Sequence, residues 1–293
     1  MIGEVAAVSA ACLWAVASVI YATLGRQVPA LALNFWKGVI AIVLLIITLV
    51  VQGQIVPHLA VKNSLLLLLS GAIGIGFGDT VYLEALRCLG ARRTLLLGTL
   101  APPMAACLAL VFLQEQLSPF AWVGIGVTIL GIIWVISERI TNHEQRSMQW
   151  RGFGYALLAS LAQAIGAICS RAALDQSAVS PQWGALLRLV AGVVIVLGWG
   201  MLRRPGQRGW RALNTTDLKL RLFAAAFAGT YLGIWLQQLS LKYTVTGISQ
   251  TLNATSPLFV LPIAVILGEQ VSYRAWWGAA IAVMGVGLLL TQT

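Results

Sequence analysis

Ten stretches of apolar sequence, each close to the length that crosses a lipid hydrocarbon core, constrain this chain more than anything else in it. They cover residues 3–24, 30–51, 64–86, 93–113, 118–137, 152–173, 181–202, 219–241, 246–267 and 272–291. Roughly 20 apolar residues make one spanning helix. Only helices and closed barrels satisfy their own backbone groups in lipid, and these runs are long and do not alternate, so they read as helices. Only 10% of the 293 residues are charged, against about 25% in soluble domains. That is too little to cover a water-facing surface. The expected fold class is an all-α integral membrane protein of ten transmembrane helices. The longest connections, residues 138–151 and 203–218, leave no room for a soluble domain. The opening "MIGEVAAVSAACLWAVASVIYATLG" lacks a basic start and outruns the about 7–15 apolar residues of a signal peptide, so it reads as a retained first span.

The chain also writes one phrase twice. "FLQEQLSPFAWVG" at 112–124 returns as "ILGEQVSYRAWWG" at 266–278, which places Glu115 and Glu269 154 residues apart. Trp122 and Trp276, Gly124 and Gly278, and Gly131 and Gly285 keep the same offset. So do Pro103 and Pro257, each 12 residues before its glutamate. Lys37 matches Arg188 at an offset of 151, and "ALRC" at 85–88 matches "SLKY" at 240–243 at 155. Small loop insertions produce such drift. The chain therefore divides into two five-helix halves, 1–140 and 148–293. Five is odd, so the second half enters the membrane from the opposite side. Inverted repeats of this kind build alternating access around a mid-membrane site between the halves.

Ser118 and Ser272 are placed to cap the following helices, and Pro119 suits a first helical position. Glu115 and Glu269 then end the fourth and ninth helices, where the helix dipole disfavours an acid. A basic partner at the same face would answer that: Arg171 or Lys62 for Glu115, and Arg26 or Arg92 for Glu269. A solvated loop acid is the plain alternative. The two glutamates and Pro103 and Pro257 are read as structural.

Ordered this way, the basic residues of the second and seventh helices, the "ALRC" and "SLKY" ends, and the proline-to-glutamate stretches before "EQLS" and "EQVS" resemble the EamA family of the drug/metabolite transporter superfamily. The resemblance spans nearly the whole chain, twice. It implies ten helices in two repeats and a small-molecule transporter, often an exporter of amino acids or other metabolites. The first repeat carries Gln114 where Gly268 keeps the family's "GE", and Asp79 is not part of the family pattern.

Ionisable side chains inside a span are costly, about 2.5–3.5 kcal/mol at a helix centre, and mark functional sites. Asp79 in "GAIGIGFGDTVYLEALR" is the foremost. It could bind a cationic or amine-bearing solute or a coupling proton, or be a carboxyl bonded to a neighbouring helix. Tyr82 shares its face, and Gly71, Gly74, Gly76 and Gly78 permit close backbone approach. Lys37 and Arg188 could take a substrate carboxylate or a coupling acid, or snorkel to the interface. Glu84 and Arg87 read as a local pair. Trp14, Ser18 and Tyr21 share a face of the first helix, and Gln163 and Ser170 hold the matching places on the sixth. Tyr231, Trp235 and Gln238 share a face of the eighth. Aromatics with one polar handle suit an amphipathic solute. The substrate-binding candidates are thus Asp79, Tyr82, Lys37, Arg188, Trp14, Gln163, Trp235 and Gln238. Trp199, Trp210, Trp276 and Trp277 read as interfacial anchors.

These features suggest a secondary transporter, an exporter of a small metabolite such as an amino acid, in the cell membrane. Asp79 with Lys37 and Arg188 leans toward a zwitterion. Membrane lipid and a small solute are its expected partners, with a coupling proton or ion. No catalytic residue, cofactor or metal site is expected: no ATP-binding motif is present, His58 and His143 sit in connections, and Cys12, Cys88, Cys107 and Cys169 have packing roles. The +10 net charge lies in the connections and speaks for membrane orientation, not for nucleic acid. The alternative, an integral-membrane enzyme acting on a lipid or lipid-linked substrate, would need a clustered nucleophile, acid–base set or metal, which the scattered acids do not form. No loop is large enough to present a scaffold surface, and a monomer is expected. Odd-numbered connections hold fourteen of the nineteen basic residues and even-numbered ones three. The positive-inside rule then puts both termini outside, whereas the family resemblance implies both inside. A reporter fused after Thr293 distinguishes the two: activity only outside the cell upholds the charge bias, activity only in the cytoplasm the resemblance.

Overall fold

A computed structural model describes residues 2–53, 60–112, 119–136, 143–175, 177–203, 215–244, 246–268 and 271–288. Every regular element among them is helical. In chain order these are α1 (Ile2–Leu24), α2 (Ala30–Val51), α3 (Val61–Gly98) and α4 (Ala101–Phe112). Then follow α5 (Pro119–Ile136), α6 (His143–Leu174), α7 (Pro181–Arg203) and α8 (Thr216–Tyr243). The series ends with α9 (Thr246–Asn253), α10 (Ser256–Ile266) and α11 (Tyr273–Leu288). Among the described residues, seven helical stretches are long and apolar enough to cross a membrane: α1, α2, α3, Met148–Leu174, Pro181–Leu202, α8 and Ser249–Ile266. Side chains such as Val43, Ile47, Leu130, Val194 and Trp277 lie exposed on the outside of the bundle, as a lipid-facing surface requires. Trp276 is exposed there too, whereas Trp199 stacks on Phe77. Trp210 lies outside the described residues.

Several helices start where the sequence implies. Pro119 and Pro181 occupy first positions, where a missing N–H costs nothing. Ser272 accepts from the Ala275 N–H at 3.3 Å. Ser118, Glu115 and Glu269 lie outside the described residues, so their capping and pairing are not seen. Arg171, one expected partner for Glu115, binds Asp175 at 3.0 Å.

The helices are less regular than uniform apolar runs suggest. α3 contains a π-helical stretch at Gly71–Gly78, and α8 one at Ala226–Leu232. α3 continues past the expected end of the third span and bends at Gly90, whose φ of 76° suits glycine alone. The expected fourth span is thus shared between the end of α3 and α4, interrupted at Thr99 and Leu100. The expected ninth span is divided in the same way into α9 and α10, interrupted at Ala254 and Thr255. The Thr99 and Thr255 hydroxyls donate to the Leu96 and Leu252 carbonyls at these two interruptions, at 2.7 and 2.6 Å. Pro103 and Pro257 lie in the first turns of α4 and α10, where the helix restarts.

Small residues let the helices cross closely. α5 packs on α11. A Cβ on Gly131 would stand 2.7 Å from the Ala282 nitrogen and 2.9 Å from the Gly278 oxygen. A Cβ on Gly285 would stand 2.5 Å from the Thr128 nitrogen and 2.8 Å from the Gly124 oxygen. The two contacts are reciprocal at the offset of 154 residues. Overpacking such a site costs about 1–3 kcal/mol. Gly285→Leu is therefore expected to lower the melting temperature in detergent, followed by tryptophan fluorescence. Gly287→Leu, which meets nothing within 4 Å, serves as the control, and equal melting of the two variants refutes the close crossing.

Candidate functional site

A cavity with about 1090 Å³ of empty space, open mouth included, lies in the middle of the bundle. Five helices bring the sequence candidates to it. α1 supplies Trp14, α2 Lys37, α3 Asp79 and Tyr82, α6 Gln163 and α7 Arg188. At the centre the Lys37 ammonium donates to the Asp79 carboxylate, and both side chains are largely withdrawn from the surface. Asp79 directly follows the π-helical stretch of α3. Asn34, one turn before Lys37 on α2, donates to the Ile75 and Gly76 carbonyls at 2.9 and 3.2 Å and to the Thr80 hydroxyl at 2.8 Å. It anchors the loosened turns that carry Asp79. Close approach also helps here: a Cβ on Gly76 would stand 2.9 Å from Ile195 of α7.

The opposite wall is tied together in a similar way. Trp14 donates its indole N–H to the Gly229 carbonyl at 2.8 Å, within the π-helical stretch of α8. The Tyr21 hydroxyl shares a hydrogen bond with Thr230 at 3.0 Å, and the Ser18 hydroxyl one with Tyr82 at 2.6 Å. Ser170 bonds Ser70 of α3 at 3.0 Å, away from the cavity lining.

Arg188 is 1% exposed, the bulkiest fully buried side chain in the protein as described. Its Nη1 donates to the Gln238 and Gln237 side-chain oxygens at 2.6 and 3.3 Å. Its Nε is buried without a hydrogen-bond partner, and no carboxylate among the described residues lies within ion-pair distance of it. Lys37 thus contacts an acid directly, while the hydrogen bonds described for its counterpart Arg188 go to amides.

Two candidates stand outside the cavity lining. Tyr231, Trp235 and Gln238 do share a face of α8, but it turns toward α2 and α7. There Tyr231 meets the Thr48 hydroxyl at 2.7 Å, and Trp235 packs beside Tyr231 with ring centroids 5.9 Å apart. The adjacent stripe, Thr230, Ile234 and Gln237, faces the cavity instead. The sequence reading also passed over Gln250 and Asn253 of α9, one turn apart and both cavity-lining. The Gln250 Nε2 and both polar atoms of the Asn253 amide are buried without partners. Their signal was present: "GISQTLNATSP" at 247–257 is a polar run inside an otherwise apolar segment.

The two ends of α1 mark the two faces of the bundle. Gly3 touches Thr244 at one end, and Gly25 lies beside Arg87 at the other. The Thr244 face is fastened by cations on backbone carbonyls. Lys242 donates to Val179 at 2.6 Å and Ser177 at 3.4 Å, and Arg171 to Leu241 at 2.7 Å. On the Gly25 face Arg87 pairs, among the described residues, along its own helix with Glu84 at 3.5 Å, as its spacing implies.

The comparisons with known proteins agree with this architecture. No curated protein matches the chain. A solved structure titled "Crystal structure of protein" superposes with a TM-score of 0.72, covering 99% of this chain and 96% of its own, at 16% identity. At that identity the likeness shows the fold alone. The pattern of the EamA-like transporter family matches residues 1–137 and again residues 150–291. The chain therefore belongs to the EamA-like transporter family and is a multi-pass membrane transporter of the drug/metabolite type.

Proposed function

We propose that the protein is a secondary exporter of a small metabolite, an amino acid or a related amphipathic solute, seated in the central cavity of the cell-membrane-embedded bundle. The carrying observation is the cavity itself: helices from both halves line it, and it holds three buried ionisable side chains with aromatic and amide neighbours. That suits a solute with both polar and apolar parts. Asp79, Tyr82, Lys37, Arg188, Trp14 and Gln163 contact the solute in this reading. Gln238 holds Arg188 in place, and Trp235 supports the wall behind it.

Transport follows from alternating access between two inverted five-helix repeats, 1–140 and 148–293, making ten spans. The reciprocal contacts of Gly131 with Gly278 and Gly285 with Gly124 support this reading, because reciprocity is the mark of a two-fold relation. The paired π-helical stretches and paired interruptions support it as well. A coupling proton or ion supplies the driving energy, and Asp79, bound to Lys37, is the group that could exchange it.

Lys242 and Arg87 hold matching places in the two halves. In this reading Lys242 fastens the Thr244 face while Arg87 stays with Glu84 on its own helix, and the opposite state reverses them, with Arg87 reaching the 25–29 connection. With the four native cysteines replaced, a cysteine at Gly98 reports cavity access to an impermeant maleimide. Lys242→Met is expected to raise labelling from the Thr244 face several-fold, and Arg87→Met to lower it. Shifts in the same direction would count against the latch pair.

Export itself is read by mass spectrometry of medium and cell extract. A metabolite enriched in the medium by the wild type is expected to be absent with Asp79→Asn and with an empty vector. Breaking a buried ion pair costs about 3–5 kcal/mol, so Asp79→Asn should also melt earlier. Lys37→Met with Asp79→Leu, which removes both charges, should recover stability but not export. Normal export by Asp79→Asn at every pH would exclude Asp79 from the mechanism.

A further inference from the structure

The three cavity charges do not cancel. Lys37 and Asp79 neutralise each other in direct contact. Arg188 remains, buried, held by two amide oxygens and carrying one unpartnered donor. An isolated charge in a low-dielectric interior is costly unless an opposite charge and hydrogen bonds answer it. The cavity as a whole therefore lacks one negative charge.

The same cavity holds donors with nothing to bond. The Gln250 Nε2 and the Asn253 Nδ2 are buried without partners, and both residues are about nine-tenths or more buried at 5% and 6% exposure. They end α9 at its interruption, and Ser256, the first residue of α10, also lines the cavity. The start of a helix carries positive partial charge, and α10 has 11 residues. The corresponding interruption of the first half offers less: α4 opens with Ala101, Pro102 and Pro103, two residues without an N–H, against the single Pro257 of α10.

From these observations we infer that Arg188, Gln250, Asn253 and the start of α10 form the binding subsite for a carboxylate, and that the transported solute is a monoanion. The inference rests on the reading of this cavity as the solute's binding place, and of the two kinds of solute named there it takes the related amphipathic acid over the zwitterionic amino acid. One carboxylate balances the single unanswered charge. A phosphate monoester brings close to two charges and overshoots. A free amine brings the wrong sign. The ammonium of a zwitterion would have to share Asp79 with Lys37, and a solute of zero net charge would leave the charge on Arg188 unanswered. The Asn253 amide, with donor and acceptor both vacant, is suited to a neutral polar group next to the carboxylate. The apolar remainder of the solute then lies along Ala17, Leu95 and Ile234.

The test is equilibrium binding to the purified wild type in detergent, by calorimetry. The probes are phenylacetate, its amide phenylacetamide, phenethylamine, phenylalanine and phenyl phosphate. Phenylacetate is expected to bind at least about tenfold more tightly than each of the others, since a hydrogen bond between charged groups is stronger than one between neutral groups. Arg188→Gln should bring phenylacetate and phenylacetamide to similar affinity. Asn253→Ala and Gln250→Ala should each weaken phenylacetate several-fold at an unchanged melting temperature. Should Arg188→Gln not fold, Arg188→Lys replaces it: the charge stays, the planar fork is lost, and phenylacetate should weaken. A preference for the amine, the zwitterion or the phosphate overturns the inference. So do an unchanged carboxylate-to-amide ratio in the Arg188 variants and a wild type that binds none of the probes. Counterflow of labelled phenylacetate in vesicles is scored separately. Tight binding without counterflow refutes the transporter reading while leaving the carboxylate subsite standing.

Discussion

A carbonyl released from its helix inside hydrocarbon has no water to accept from, and this constraint organises the centre of the protein. The middle of the bundle departs from α-geometry in four places: two π-helical stretches and two interruptions. Each departure has side chains assigned to it. Asn34 serves the Ile75 and Gly76 carbonyls, with Thr80 also donating to Gly76 at 2.6 Å. Trp14 serves Gly229. Thr99 and Thr255 serve the interruptions, joined by Ser256, which donates to Asn253 at 2.8 Å. All four departures border the cavity. Irregular backbone at membrane depth persists only where protein or a cavity surrounds it, so the cavity and the irregularity come as one feature.

On this shared scaffold the two halves carry different chemistry. Lys37 and Arg188 hold corresponding places on α2 and α7, yet the residues they meet differ. Lys37 reaches the Asp79 carboxylate, while Arg188 reaches the neutral Gln237 and Gln238. The polar end of α9 likewise has an apolar counterpart at the end of α3, where Leu95, Leu96 and Leu97 are buried. Symmetry of packing thus coexists with asymmetry of charge. A moving pair of half-bundles needs the first, and selection of one kind of solute needs the second.

Much of this was legible in the chain. Spans announce themselves because hydrocarbon demands about 20 apolar residues. The repeated glycines marked the repeat, and the structure adds that Gly124, Gly131, Gly278 and Gly285 meet across α5 and α11. Asp79, Lys37 and Arg188 stood out because buried charge is rare, and all three line the cavity. Periodicity was less informative for α8. It groups Tyr231, Trp235 and Gln238 on one face but does not say which way that face turns. The interruptions were hidden for a different reason. An apolar count over 20 residues does not register two residues of turn within it. The residues around Thr99 and Thr255 therefore read as continuous helix, and Gln250 and Asn253 were passed over within it.

The position of the interruptions has a mechanical consequence. A helix transmits rotation along its length while its hydrogen-bond ladder is unbroken. At Leu100 and at Thr255 the α-helical ladder gives way to tighter turn bonds, Leu100 N–H to the Leu97 carbonyl and Thr255 N–H to the Leu252 carbonyl, with threonine and serine hydroxyls beside them. The end of α9 can therefore shift against α10 without unwinding either, and the same holds for the end of α3 against α4. Gln250 and Asn253 sit directly before the second break, with polar atoms unsatisfied. A solute that satisfies them binds at the joint itself. In the alternating-access reading its contact energy is then delivered at the junction of α9 and α10, and a ligand shifts a conformational equilibrium only by its differential contacts with the two states.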